Sequence, residues 1–85
     1  MSAANKALLK KYVRDVCALA KGYGVTEEFM HDAISSLVPA GVEIDVMREA
    51  VEWNVGQGFV KRTLNGDTEA YEWSITKAGI AKDNV

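Results

Sequence analysis

One cysteine, one proline and one histidine in 85 residues leave this chain little with which to cross-link, stiffen or ligate. Cys17 alone cannot close an intramolecular disulfide, and with only His31 beside it there is no cysteine and histidine set for a zinc site. No apolar run approaches the roughly 20 residues of a membrane span. The opening Met1-Ser2-Ala3-Ala4-Asn5-Lys6 lacks the apolar core of a secretory signal. A cytoplasmic location away from membranes is expected, with no metal or other cofactor. Excess charge of either sign is also missing: the net charge is -2 and the pI near 5.3, so bulk electrostatics does not draw the protein to nucleic acid. Nothing calls for catalysis. The closest approach to an acid–base set is His31 with Glu27, Glu28 and Asp32, and no nucleophile or oxyanion donor accompanies it. Gly56-Gln57-Gly58 ends a helix and opens a strand, the reverse of a phosphate-binding loop.

What is present is an ordinary globular composition, 48% hydrophobic and 26% charged, in a length that supports one domain over residues 1–85 and one modest core. From about residue 5 to residue 21, Leu8, Leu9, Tyr12, Val13, Val16, Leu19 and Ala20 cover one side of a helical wheel, with Lys10, Lys11, Arg14, Asp15 and Lys21 opposite and Cys17 at the margin. Gly22-Tyr23-Gly24 stops that helix. Thr26 is the expected N-cap of a second helix, about 26–37, with Glu27 and Glu28 in its first turn, a buried stripe of Phe29, Met30, Ala33, Ile34 and Leu37, and an end imposed by Pro39. A third helix, about 44–56, buries Ile44, Met47, Val51 and Val55 with Ala50 and Asn54 on the flank. Its cap is ambiguous, Glu43 being poor by type and Asp45 better but later.

Beyond Gly58, β-formers on both sides of Asn65-Gly66 predict a hairpin with strands about 59–64 and 70–75. A two-residue type I′ loop pairs Leu64 with Asp67, Arg62 with Glu69 and Val60 with Tyr71, placing Val60, Tyr71, Trp73 and Ile75 on one inward face. A four-residue loop, Asn65 to Thr68, changes those partners. Thr76 is expected to cap a last short turn, Lys77 to Ala81. The sequence predicts a mainly α fold with a small antiparallel β-hairpin.

The stretch from Met47 and Val51 through Gly58-Phe59-Val60 to Ile75-Thr76-Lys77-Ala78-Gly79 resembles bacterial winged-helix regulators of the MarR and ArsR kinds. In these an apolar helix runs into "Gly, Leu, Val" and the second wing strand ends in "Leu, Thr, any two, Gly". The chain is also similar to the small standalone winged-helix proteins of Mu-like transposable phages and prophages, through Val25-Thr26-Glu27, Asp32-Ala33, and the series Val42, Asp45, Arg48, Trp53 and Gln57-Gly58. The resemblance implies a three-helix winged helix-turn-helix and a DNA-binding transcriptional regulator or accessory factor, with double-stranded DNA as partner.

Charge distribution supplies the candidate contacts. Residues 1–24 carry five bases against Asp15 alone, whereas residues 43–57 carry four acids against Arg48. Arg48 on the third helix and Lys61 and Arg62 in the wing are the candidate nucleic-acid contacts. Two features depart from the regulator pattern. Asn54 stands where that pattern has Leu, and Asp45, Glu49 and Glu52 line the face that would enter a major groove, where carboxylates repel phosphates. The alternative is a protein-interaction module in which Val46, Glu49, Glu52 and Trp53 meet a basic protein partner or a second copy. Trp53 either anchors that interface or folds against the wing or the second helix as core; Tyr71 and Trp73 are read as packing. The chain ends soon after the wing, so a monomer or weak dimer is expected.

Overall fold

The computed structural model describes residues 3–83. Among these the chain forms helix α1 (Ala3–Leu19), strand β1 (Val25–Thr26), helices α2 (Glu27–Leu37) and α3 (Ile44–Gly56), strands β2 (Val60–Asn65) and β3 (Ala70–Ile75), and helix α4 (Lys77–Asp83). The fold is mixed, with four helices and a three-stranded antiparallel sheet in the order β1-β3-β2. The expected three helices and two strands therefore omit two elements: β1 is added outright, and the last short turn is a helix of its own. No helix among the described residues is long and apolar enough to cross a membrane.

Each helix boundary has a local cause. In α1 the last helical residue is Leu19, and Lys21 (φ 53°) and Gly22 (φ 91°) turn the chain through the left-handed region. Thr26 caps α2 as expected, its hydroxyl accepting from the Phe29 N–H at 3.2 Å. The turn after α2 is held by a Gly41 N–H donating to the Val38 carbonyl and by His31 Nε2, 2.7 Å from the Val42 carbonyl. His31 is thus a half-buried tie across the turn rather than a solvated side chain. Glu43 is the N-cap of α3 but makes no side-chain capping bond. Gly58 (φ 78°) closes α3, with its N–H on the Val55 carbonyl and the Phe59 N–H on the Asn54 carbonyl, the paired bonds of a Schellman cap.

The core is one cluster built from Leu9, Val13, Val16 and Cys17 of α1, Val25 of β1, Met30 and Ile34 of α2, Met47, Ala50 and Val51 of α3, and Val60 and Trp73 of the sheet. The outer members of the expected stripes stay in solvent: Leu8, Leu19, Phe29, Leu37 and Ile44 are exposed. A helix of this size faces neighbours over only part of the apolar arc that its wheel displays.

The hairpin takes a four-residue loop, Gly66 to Glu69, one residue further along than the four-residue alternative. Val60 pairs with Ile75, Arg62 with Trp73, Leu64 with Tyr71 and Asn65 with Ala70, so the two-residue pairing is overturned. The side chain of Asn65 accepts from the Asp67 and Thr68 N–H groups at 2.9 and 3.3 Å, and the positive φ falls on Glu69 (58°) instead of on Gly66. Asn65 acts here through its own carbonyl oxygen and not as half of a type I′ turn. Arg62 consequently does not face Glu69, and Tyr71, expected inside, is moved to the wing tip and is 55% exposed.

Thr76 locks the base of the β2–β3 hairpin. Its hydroxyl donates to the Gly58 carbonyl at 2.6 Å and accepts from the Gly79 N–H at 3.0 Å, while its N–H donates to the Phe59 carbonyl at 3.1 Å. A Cβ on Gly79 would lie 2.1 Å from that same carbonyl oxygen, which gives the Thr-x-x-Gly spacing a steric cause. Gly79→Ala is therefore expected to lower unfolding free energy by about 1–3 kcal/mol in denaturant titration, whereas Gly56→Ala, whose added Cβ meets nothing within 4 Å, is neutral or stabilising by up to about 1 kcal/mol.

Burial pushes the Cys17 thiol up to about 12. The unfolded thiol titrates near its ordinary 9.0, so the unfolded chain loses this proton first and the thiol's contribution to stability, complete below pH 9, is lost as pH rises from there towards 12. Native protein at pH 8 should leave a disulfide reagent unconsumed until denaturant is added; rapid reaction without denaturant would show that the site opens.

Candidate functional site

Three side chains from distant parts of the chain fix the relation between α1, α3 and α4. Asn54 is fully buried, and its amide is satisfied on both sides: Nδ2 donates to the Lys10 and Ala50 carbonyls at 3.0 and 2.9 Å, and Oδ1 accepts from Arg14 Nη1 at 3.0 Å. Arg14, expected on the solvent face of α1, is only 6% exposed. Its Nε and Nη2 donate to the two carboxylate oxygens of Asp83 at 3.0 and 3.1 Å, and its guanidinium carbon lies 5.6 Å from the Phe59 ring centroid. The departure at position 54 is thus an acceptor for a buried guanidinium. This cluster is structural, since every polar group in it that faces the interior is already engaged.

A second cluster of charged side chains lies on the other side of α3. β1 binds the start of α2 to the sheet, with Val25 opposite Trp73 and Thr26 opposite Glu72, and this brings the first turn of α2 beside α3 and the wing. Between them is an open cleft of about 650 Å³, lined by Thr26, Glu27, Glu28, Arg48, Glu52, Arg62, Glu69, Ala70, Tyr71 and Trp73. Four carboxylates face two guanidiniums there. Both guanidiniums are occupied: Arg48 Nε bonds Glu27 Oε1, with Asp45 3.6 Å from Nη1, and Arg62 Nη1 sits 3.2 Å from Glu52 Oε1. The Glu27 hydrogen bond and charge raise the Arg48 pKa above its ordinary value. Arg62 also lies over the Tyr71 ring, 5.0 Å from its centroid.

The candidate contacts are distributed unevenly. Arg48 and Arg62 meet in the cleft, but Lys61 points to the opposite face of the sheet, since successive residues of β2 alternate. Lys61 is exposed and has no ion-pair partner among the described residues. The four residues of the alternative interface also separate. Glu52 belongs to the cleft, whereas Val46, Glu49 and Trp53 line a smaller groove of about 220 Å³ with Lys6, Leu9, Lys10 and Ala50. Trp53 is half-buried, with Lys10 Nζ 4.4 Å above its ring and Phe59 5.8 Å away between centroids. It seals α1 against the base of the wing. A third groove, about 360 Å³, is apolar and lies between Leu8, Leu9 and Tyr12 of α1 and the end of α2 from Leu37 to Ala40.

Trp73 stands apart from the other aromatics. It is 7% exposed, and its Nε1 is the one buried side-chain polar atom without a hydrogen-bond partner among the described residues. An unpaired buried donor costs on the order of 1–3 kcal/mol. Glu27, Glu28, Glu69, Tyr71 and Trp73 were not singled out as contacts by sequence reasoning, because only the tertiary approach of α2 to the wing brings them together.

Asn54→Leu leaves Arg14 Nη1 and the Lys10 carbonyl without their partner, while Asp83 still holds the guanidinium, and should lower stability by about 1–3 kcal/mol. In a double-mutant cycle with Arg14→Leu the two losses should be less than additive by about 1–3 kcal/mol. Additive losses would show that the pair is not coupled in solution.

Comparison with protein-family models, with curated proteins and with solved structures finds no match to this chain, so its function is argued from the geometry above.

Proposed function

We propose that the chain is a small winged helix-turn-helix accessory factor that works by binding protein, through the cleft between α3 and the wing. The order α1, β1, α2, α3, β2, β3 supports the winged-helix reading, with α2 and α3 as the helix-turn-helix and β2 and β3 as the wing. One observation carries the choice of partner: the arginines that would meet phosphates, Arg48 and Arg62, are bonded to Glu27 and Glu52 of the same chain, and Glu28 and Glu69 leave the cleft with carboxylates in excess. A phosphate backbone presents about one negative charge per 1.7 Å of duplex axis. Entering this cleft would set it against those acids and require two ion pairs to break.

A DNA-binding regulator is the second reading, favoured by Lys61, which the wing presents without a carboxylate partner. On that reading the duplex lies along the outer edge of the wing and not in the cleft, and a Lys61→Ala, Arg62→Ala variant weakens binding at all sequences alike.

A titration of isotopically labelled protein with a mixed-sequence duplex at about 50 mM salt separates the two. The expected result is unshifted amides throughout α3 and the wing. Glu27→Gln with Glu52→Gln frees both guanidiniums, and this variant should gain salt-sensitive DNA binding that the parent lacks. Salt-sensitive shifts in the α3 and wing amides of the parent protein would overturn the protein-binding reading.

A further inference from the structure

We propose that two copies of this chain pair through the face formed by α1 and α2. Each α1 lies antiparallel to that of the second copy about a two-fold axis beside Val13, and Leu19 of each copy enters the apolar groove of the other.

The groove supplies the socket. Its volume is about 360 Å³, and Leu8 and Leu37, each nearly half exposed, stand at its rim beside the half-buried Tyr12. It sets the end of α2 against the first half of α1, so the two helices run in opposite senses and the start of α2 returns to the second half of α1. At that other end Leu19 is 82% exposed, and Tyr23 and Phe29 are exposed after it. Leu19 supplies the knob. Leu8 and Leu19 are eleven residues apart, about three helical turns and about 16 Å, so they stand on one side of α1. A partner that repeats this face offers a knob to the groove and a groove to the knob at the same spacing.

Charge on that side of α1 selects the occupant. Lys11 and Asp15 bond each other at 2.9 Å and leave the face without net charge, so neither a basic nor an acidic segment is drawn to it. A second α1 laid parallel in register would set lysine against lysine and aspartate against aspartate. Laid antiparallel, it sets each Lys11 opposite the second copy's Asp15, an alignment centred on Val13. The antiparallel alignment that sets Leu8 opposite the second copy's Leu19 is centred midway between Val13 and Arg14. The two centres differ by half a residue, less than about 1 Å along the helix. Apolar and charged contacts therefore call for the same two-fold, which is the isologous arrangement of a homodimer. None of the residues that line the cleft beside α3 belongs to α1, so the inference stands whatever that cleft binds.

Sedimentation equilibrium of the full chain tests the pairing. The parent protein should move from the 9.3 kDa of one chain towards twice that mass as concentration rises. Leu19→Glu, at a position too exposed to unsettle the core, should stay at monomer mass where the parent dimerises. Lys11→Glu and Asp15→Lys should each do the same alone, because each sets like charges against one another across the axis. Mixed in equal amounts these two variants should regain the dimer, since one chain then carries two acids and the other two bases at the facing positions. Circular dichroism spectra that match the parent's establish that the variants are folded.

Monomer mass for the parent at concentrations up to about 1 mM overturns the inference. So does a dimer that persists in Leu19→Glu, which would place the contact elsewhere. Charge variants that pair alone as well as the parent does, or that stay apart when mixed, overturn it too.

Discussion

The buried contact between Arg14 and Asn54 is the constraint on which the arrangement of helices depends. A guanidinium inside a small core is tolerable only if its donors are met, and they are met by residues 40 and 69 positions away, Asn54 and Asp83. The same Asn54 amide reaches the Lys10 carbonyl on α1, so α3 is tied to α1 at both side chain and backbone. Apolar packing alone would allow α1 to slide or rotate on α3 by a residue with modest loss, because methyl groups accept many neighbours. Hydrogen bonds at 2.9–3.1 Å do not. Asp83 extends the constraint to α4, whose start is already fixed by Thr76 and Gly79 against the end of α3.

That scaffold determines where the β2–β3 hairpin stands, and the hairpin register determines what it presents. The expected two-residue loop and the observed Gly66–Glu69 loop differ by four residues in the partner of any β2 position, an even number, so every side chain keeps its face. Val60, Trp73 and Ile75 therefore face inward under either pairing, and only their neighbours change. The consequence is concentrated at Tyr71. Opposite Val60 it would lie over the core; opposite Leu64 it lies at the tip, where Arg62 can rest on it. Arg62 in turn is released from Glu69 and reaches Glu52. An Asn65 side chain that caps the loop thus decides which acid remains unpaired at the cleft.

Local signals were legible where local chemistry decides. Thr26, Pro39 and Gly58 end or begin their elements for reasons contained within four residues, and the α3 stripe of Met47 and Val51 is buried as its period requires. The expectation failed where a distant partner decides. β1 is two residues long and exists only because Trp73 and Glu72 lie alongside it. Arg14 has the sequence environment of a solvent-facing base, and its burial follows from an asparagine 40 positions later. Asn54 on an otherwise apolar flank was a visible demand for partners, but nothing local named the donor. The candidate contacts show the same division: Arg48, Glu52 and Arg62 come together in one cleft, while Trp53 and Lys61 face elsewhere because the α3 wheel and the β2 alternation place them there.

The acidic character of the cleft also follows from the fold rather than from net charge. At -2 the whole chain is close to neutral. The bases without an ion pair among the described residues, Lys6 and Lys10 on α1, Lys21 after it, Lys61 on β2 and Lys77 and Lys82 on α4, lie outside the cleft lining, whereas the pairing of Thr26 with β3 brings Glu27 and Glu28 next to Glu52 and Glu69. Concentrating carboxylates at one surface raises the local potential well beyond what the total charge implies, since exposed charges more than about 10 Å apart are screened from one another at ordinary salt. Each base that lines the cleft, Arg48 and Arg62, is bonded to an acid that the fold itself delivers, Glu27 and Glu52, so the charge left over at that surface is negative.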